Sequence, residues 1–143
     1  MTNIGDDTNH VELEDIFWFM YFDGSKTQEG SEACCILIDP NKSKHFLSYR
    51  LEFKCTNNTP EYEALVPGLK KAIGLEVKNL KVFGDSEIVV RQVRNTIHCL
   101  SPHLKGYQFE IWNFIMHFNS FEINVVPRLQ NATADLLATS ASR

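Results

Sequence analysis

The chain has 143 residues, 43% of them hydrophobic and 11% aromatic, and a formal net charge of −4 at pH 7. This length suits one domain with a core of its own, and the composition is too apolar for a disordered segment. The negative charge excludes a simple basic nucleic-acid binder, though not an enzyme whose carboxylates are neutralised by bound cations, and no apolar run approaches the roughly 20 residues that cross a bilayer.

Residues 1–15, MTNIGDDTNHVELED, are acidic and polar and resemble neither a signal nor a transit peptide. They read as a flexible tail before a domain at 16–143. The run IFWFMYF (16–22) is apolar without alternation, the pattern of a strand buried on both faces, and Asp23-Gly24-Ser25 ends it. A turn over KTQEGSE leads to a second strand, ACCILI (33–38), closed by DPNKSK. In HFLSYRLEF, Leu47, Tyr49, Leu51 and Phe53 alternate with Ser48, Arg50 and Glu52, which predicts a half-buried third strand. Three strands joined by short turns make an antiparallel meander. Cys34, Cys35, Cys55 and Cys99 show no CxxC spacing and read as reduced thiols of an intracellular protein, cytoplasmic or nuclear.

The period then changes. Tyr62, Leu65, Leu69, Ala72 and Ile73 recur at helical spacing, with Pro60 suited to the first turn and Gly74 to the end. Pro67 should kink this helix or weaken it by about 3 kcal/mol. LKVF (80–83) is a strand running into Gly84-Asp85-Ser86, and SEIVVRQV is a short helix. After the linker NTIHCLSPH, a helix carries Leu104, Tyr107, Ile111, Phe114, Ile115 and Phe118 on one side. FEINVV (121–126) is a fifth strand, VPRLQN a loop, and ATADLLATSAS a last helix with Asn131 as its cap. Helices must cover a mixed sheet, and the strand–helix–strand crossover requires the fourth strand to run parallel to a central one.

Four carboxylates then come from four elements. Asp23 and Asp85 end the first and fourth strands, Glu61 opens the first helix, and Asp135 lies early in the last. Ligands of such sheets gather at the carboxyl ends of the strands. Carboxylates meeting there would raise each other's pKa values, and oxygen-rich clusters suit Mg²⁺ or Mn²⁺. Each residue also has an ordinary reading: Asp23-Gly24 as a turn, Asp85-Ser86 as a helix cap, and Glu61 and Asp135 as acids at the positive ends of helices. Their joint order favours the active-site reading.

The segments YFDGS (21–25), LEFKCTNNTPEYEALVPGLKKA (51–72), LKVFGDSEIVVRQV (80–93) and VPRLQNATADLLATSAS (126–142) together resemble ribonuclease H of the type 1-like group. The resemblance is closest to the ribonuclease H domain of plant gypsy-type LTR retrotransposon polyproteins. It implies a three-layer α/β fold, a five-stranded mixed sheet of three antiparallel then two parallel strands with helices on both faces. It implies that Asp23, Glu61, Asp85 and Asp135 are catalytic and hold two Mg²⁺ ions, with Mn²⁺ as a substitute. It also implies that Gly24, Ser25, Asn57, Asn58, Ser86, Glu87 and Arg128 line the substrate site, Asn57 and Asn58 against the RNA strand. The expected partner is an RNA–DNA hybrid, whose RNA is cut by water to a 5′-phosphate and a 3′-hydroxyl. A reverse transcriptase domain in a parent polyprotein is a second partner, and no membrane is expected.

The chain departs from the pattern at several places. The loop VPRLQNATAD lacks the histidine that several members carry, and Arg128 is its electrostatic substitute. Glu87 replaces a usual glutamine, Glu32 and Cys34 stand where glycines are preferred, and Pro67 interrupts a helix. Glu63 matches a common glutamate that is not a ligand, and reads as structural. These departures keep open an alternative, a catalytically weak or inactive module of the same fold that binds nucleic acid or protein.

Overall fold

The structure, a computed structural model, describes residues 16–26, 30–51, 59–97 and 102–128. The tail at 1–15, Asn57, Asn58, Asp135 and the last helix lie outside the described residues. In chain order the elements are β1 (Trp18–Lys26), β2 (Ser31–Ile38), β3 (Lys44–Leu51), α1 (Thr59–Gly74), β4 (Asn79–Gly84), α2 (Glu87–Val93), α3 (Pro102–Ile115) and β5 (Ser120–Val125). The strands form one sheet in the order β3-β2-β1-β4-β5. β1–β2 and β2–β3 are antiparallel, whereas β1–β4 and β4–β5 are parallel. This is the mixed sheet that the element order requires. No described helix is long and apolar enough to cross a membrane.

One sheet face carries Met20, Phe22, Ala33, Cys35, Leu37, Leu80, Val82 and Ile123, all buried in the core. α1 lies on that face closely enough that a Cβ on Gly68 would stand 2.5 Å from Met20 Sδ and 2.7 Å from Cys35 Sγ. α2 and α3 complete the layer through Val89, Val90, Leu104 and Ile111. On the other face the rings of Phe19 and Tyr21 stack on Phe83, 6.1 and 5.1 Å between centroids.

The helices are tied together by a small polar network in the core. The Tyr62 hydroxyl donates to Gln92 Oε1 at 2.6 Å, and Gln108 Nε2 donates to the Gln92 carbonyl at 2.6 Å. Tyr107 stacks on Tyr62 and donates its hydroxyl to Glu63 Oε2, so Glu63 links α1 to α3. Pro67 is accommodated inside α1, which runs unbroken across it. Cys34 and Cys35 are buried thiols. Burial, helped by the neighbouring Cys34, pushes the Cys35 thiol up to about 12.

Two strand limits next to the site differ from the sequence reading. β1 does not stop at Phe22; β2 pairs with it through Lys26↔Ser31, so Asp23 lies inside the strand. The turn propensity of Asp-Gly-Ser is overridden by a ladder that satisfies those backbone groups. β2 starts at Ser31 rather than at residue 33 for the same reason. α1 ends at Gly74, as the sequence suggests, but the left-handed residue of its cap is Glu76: Glu76 has φ 61°, Glu76 N donates to Ile73 O at 3.0 Å and Val77 N to Ala72 O at 3.0 Å. That is a Schellman cap with a glutamate in the left-handed position that favours glycine. Glu76→Gly is therefore expected to stabilise the fold by about 1 kcal/mol, or about 3–4 °C in Tm, measured by thermal denaturation.

Candidate active site

The site is set by three backbone relationships. The first is the parallel register of β1 and β4, which runs from Trp18↔Leu80 to Tyr21↔Phe83. Asp23 and Asp85 each lie two residues beyond the last of those pairs, at the same end of the sheet. Gly84 makes the close approach of the two strands there feasible, because a Cβ there would fall 2.5 Å from the Phe22 ring.

The second is the seating of α1. A Cβ on Gly24 would lie 2.3 Å from the Pro60 carbonyl carbon and 2.5 Å from Glu61 N. The first turn of α1 thus rests on the backbone of β1 at Gly24, between Asp23 and Ser25. Glu61, in that turn, is half-buried. A residue with any side chain at position 24 would hold the helix off.

The third is the exit of β5. Val126 N donates to the Gly84 carbonyl at 2.9 Å, which carries the chain past the end of β4. Arg128 Nη2 then stands 3.4 Å from Asp85 Oδ2. The guanidinium is largely exposed, so this pair is screened by solvent and contributes little to stability, yet it sets a positive charge beside the acid.

Asp23, Glu61 and Asp85 thus reach the same end of the sheet. Asp23 is only 1% exposed and the Asp85 side chain only 8%, and the Asp23 oxygens, Glu61 Oε2 and Asp85 Oδ2 are buried. Buried carboxylates are costly unless their charge is compensated. Among the described residues, no three His, Cys, Asp or Glu side chains are grouped so as to hold a metal ion by themselves. Asp135, the fourth expected ligand, lies outside those residues, as do Asn57 and Asn58.

The remaining expected substrate contacts divide by environment. Ser86 is the N-cap of α2, its hydroxyl accepting from Val89 N at 3.4 Å. Glu87 points to solvent and pairs with Arg91 at 3.5 Å, one helical turn on. Ser25 donates its hydroxyl proton to Glu32 Oε2 at 2.9 Å. Sequence reasoning treated Glu32 and Cys34 as departures without a place. The register assigns them one, because Cys34 lies opposite Asp23 and Glu32 opposite Ser25. Period-2 alternation from Asp23 could have given the face, but only the pairing of β1 with β2 gives the partners.

A sheet with this strand order, and acids just past the last pair of its central parallel ladder, is ribonuclease H-like. Residues 21–141 match the family described as Reverse transcriptase-like, and the chain belongs to that family. An 88-residue stretch, 62% of the chain, is 31% identical to Ribonuclease HI of Halobacterium salinarum and spans 44% of that protein. The match therefore covers less than half of that relative's length. The crystal structure of RNase H1 from the same archaeon superposes with a TM-score of 0.81 at 25% identity, over 88% of this chain and 97% of that one. LC11-RNase H1, solved in complex with an RNA/DNA hybrid, superposes with a TM-score of 0.78 at 26% identity, over 87% and 95% of the two chains.

Proposed function

We propose that this domain is a divalent-metal-dependent endonuclease that hydrolyses the RNA strand of RNA–DNA hybrids. The observation that carries the reading is that three acids stand at one end of the sheet. Asp23 and Asp85 both follow the end of the β1–β4 ladder, and the first turn of α1, which carries Glu61, rests on β1 at Gly24. The likeness to a ribonuclease H1 solved on an RNA/DNA hybrid supports the substrate class. The reading includes a retrotransposon origin of the gypsy type, with a reverse transcriptase domain in the parent polyprotein as partner.

The donor chemistry fits hard divalent cations. Every ligand in the set is a carboxylate oxygen, and Asp23 and Asp85 are withdrawn from solvent, where a bound cation offsets charge most effectively. Asp23, Glu61, Asp85 and Asp135 would hold Mg²⁺ or Mn²⁺. Such ions, when bound, supply Lewis-acid activation of water and charge stabilisation at the leaving oxygen. The protein's own part is to keep the acids fixed and largely dry. Arg128 supplies positive charge where the phosphate leaves, and Asn57 and Asn58 hold the RNA strand. Hydrolysis breaks the P–O3′ bond and leaves a 5′-phosphate and a 3′-hydroxyl.

A weak or inactive module is the second reading, and buried Glu32 favours it. It adds a fifth carboxylate on the face that bears Asp23. Cleavage of an end-labelled RNA–DNA hybrid separates the two. The first reading expects RNA-strand products with Mg²⁺ or Mn²⁺ and none with EDTA. Folded protein that cuts with neither ion leaves only the second.

A further inference from the structure

We infer that a cavity at the opposite end of the sheet from Asp23 and Asp85 binds a small apolar carboxylate, an acyl chain ending in one anionic group. The inference is independent of hybrid cleavage. The cavity is about 570 Å³, within the usual range of small-molecule sites, and its walls are mainly apolar. One cross-strand row builds its floor and its ends. Phe19 pairs with Ile38 on β2 and with Lys81 on β4, and Ile38 pairs with Lys44 on β3. Paired residues share a face of the sheet, so the row reads lysine, isoleucine, phenylalanine, lysine across four strands. It lies on the face that bears Asp23, which is four residues or about 13 Å further along β1. Phe19 is 38% exposed although β1 is the central strand of the sheet, where an aromatic ring is normally covered.

The charges around this floor favour an anion. The chain as a whole carries −4, yet Lys42, Lys44 and Lys81 line this one cavity. The acid among the lining residues, Asp39, is turned to its own hairpin. Its Oδ1 accepts from Asn41 N at 2.9 Å and Ser43 N at 2.8 Å, and its Oδ2 stands 3.5 Å from His45 Nε2. Lys81 Nζ lies 3.5 Å from Glu122 Oε2 and 4.6 Å from the Phe17 ring centroid. Lys42 and Lys44 form no ion pair among the described residues. Lys42 also has φ 70°, in a hairpin where Lys42 N donates to Asp39 O at 2.8 Å. That left-handed position is usually given to glycine, so the chain keeps a long cationic side chain where it weakens the fold. A carboxylate held by Lys42 and Lys44 would lay its chain on Ile38 and Phe19. An inorganic anion would leave that floor bare, and a nucleic-acid base would find the Phe17 ring already covered by an ammonium group.

The test is calorimetric titration of the whole chain with decanoate, kept below its micelle-forming concentration, and with decyl alcohol. Decanoate should bind at a single site, and decyl alcohol about tenfold more weakly, the loss of two exposed ion pairs. Lys42→Gly should weaken decanoate about threefold while raising Tm, as relief of the left-handed strain requires. Lys42→Gly/Lys44→Gln should bring decanoate level with decyl alcohol. Ile38→Trp, which fills the cavity, should abolish binding. No saturable binding of decanoate by the folded chain, equal affinity for acid and alcohol, or unchanged binding by the lysine variants overturns the inference. Binding to phosphatidylglycerol vesicles without binding of free decanoate also overturns it, and assigns the lysines to a membrane surface.

Discussion

Asp23→Asn is expected to lower hybrid cleavage by at least about 10³-fold, the loss of several kcal/mol of transition-state stabilisation by bound cations. The same variant should melt at the same temperature as the unaltered protein or higher, when both are measured in EDTA. The two effects have one cause. Asp23 is 1% exposed, at the sheet end that also carries Asp85 and Glu61. Without cations its charge raises the energy of the fold through desolvation and like-charge repulsion. The amide has the same shape and no charge. With Mg²⁺ or Mn²⁺ at about ten times Kd, the unaltered protein should gain about 1.4 kcal/mol, and the variant much less. The order of the two melting curves therefore reverses as the ion is added. Normal cleavage by the variant would overturn the role of Asp23. A fall of several degrees in EDTA would show that Asp23 serves the fold instead.

The periodicities made the architecture legible. Alternation over β3 and helical spacing over α1 and α3 depend on short-range patterning, which each sequence segment carries by itself. The order of elements then limited the topology to a mixed sheet with a parallel β4. Details decided by long-range pairing were not legible. Asp23-Gly24-Ser25 has turn chemistry, yet β2 continues the ladder to Ser31 and holds it as strand. Gly74 is the helix stop it looked like, but Val77 must turn into the core, being 4% exposed, and this fixes the left-handed cap residue at Glu76. Glu32 and Cys34 looked like drift until the register set them beside Ser25 and Asp23. Within the candidate site, Asp85-Ser86 was readable as both a strand end and a helix cap, and it is both. Arg128 was expected to act on charge grounds, and it stands beside Asp85. The roles of Asp135, Asn57 and Asn58 rest on resemblance alone.

Gly24→Ala should be more damaging than the same change at Gly68, Gly74, Gly84 or Gly106. The added Cβ would meet three backbone atoms of α1, the Pro60 carbonyl carbon at 2.3 Å, Glu61 N at 2.5 Å and Pro60 O at 2.6 Å. None is the end of a flexible side chain, so the whole first turn must retreat. Overpacking of this kind costs about 1–3 kcal/mol, and a rigid helix start lies at the upper end. Glu61 moves with the turn, and a displacement of about 1 Å at a positioning element lowers rates by about 10²-fold. The matched control is Gly106→Ala in α3, where the new Cβ meets nothing within 4 Å. That change should stabilise by about 0.5–1 kcal/mol through helix propensity. Comparing Tm and cleavage rate for the two variants isolates the contact from the general effect of replacing glycine. If Gly24→Ala retains both stability and cleavage, α1 is not seated on β1 as described, and Glu61 loses the contact that sets it beside Asp23.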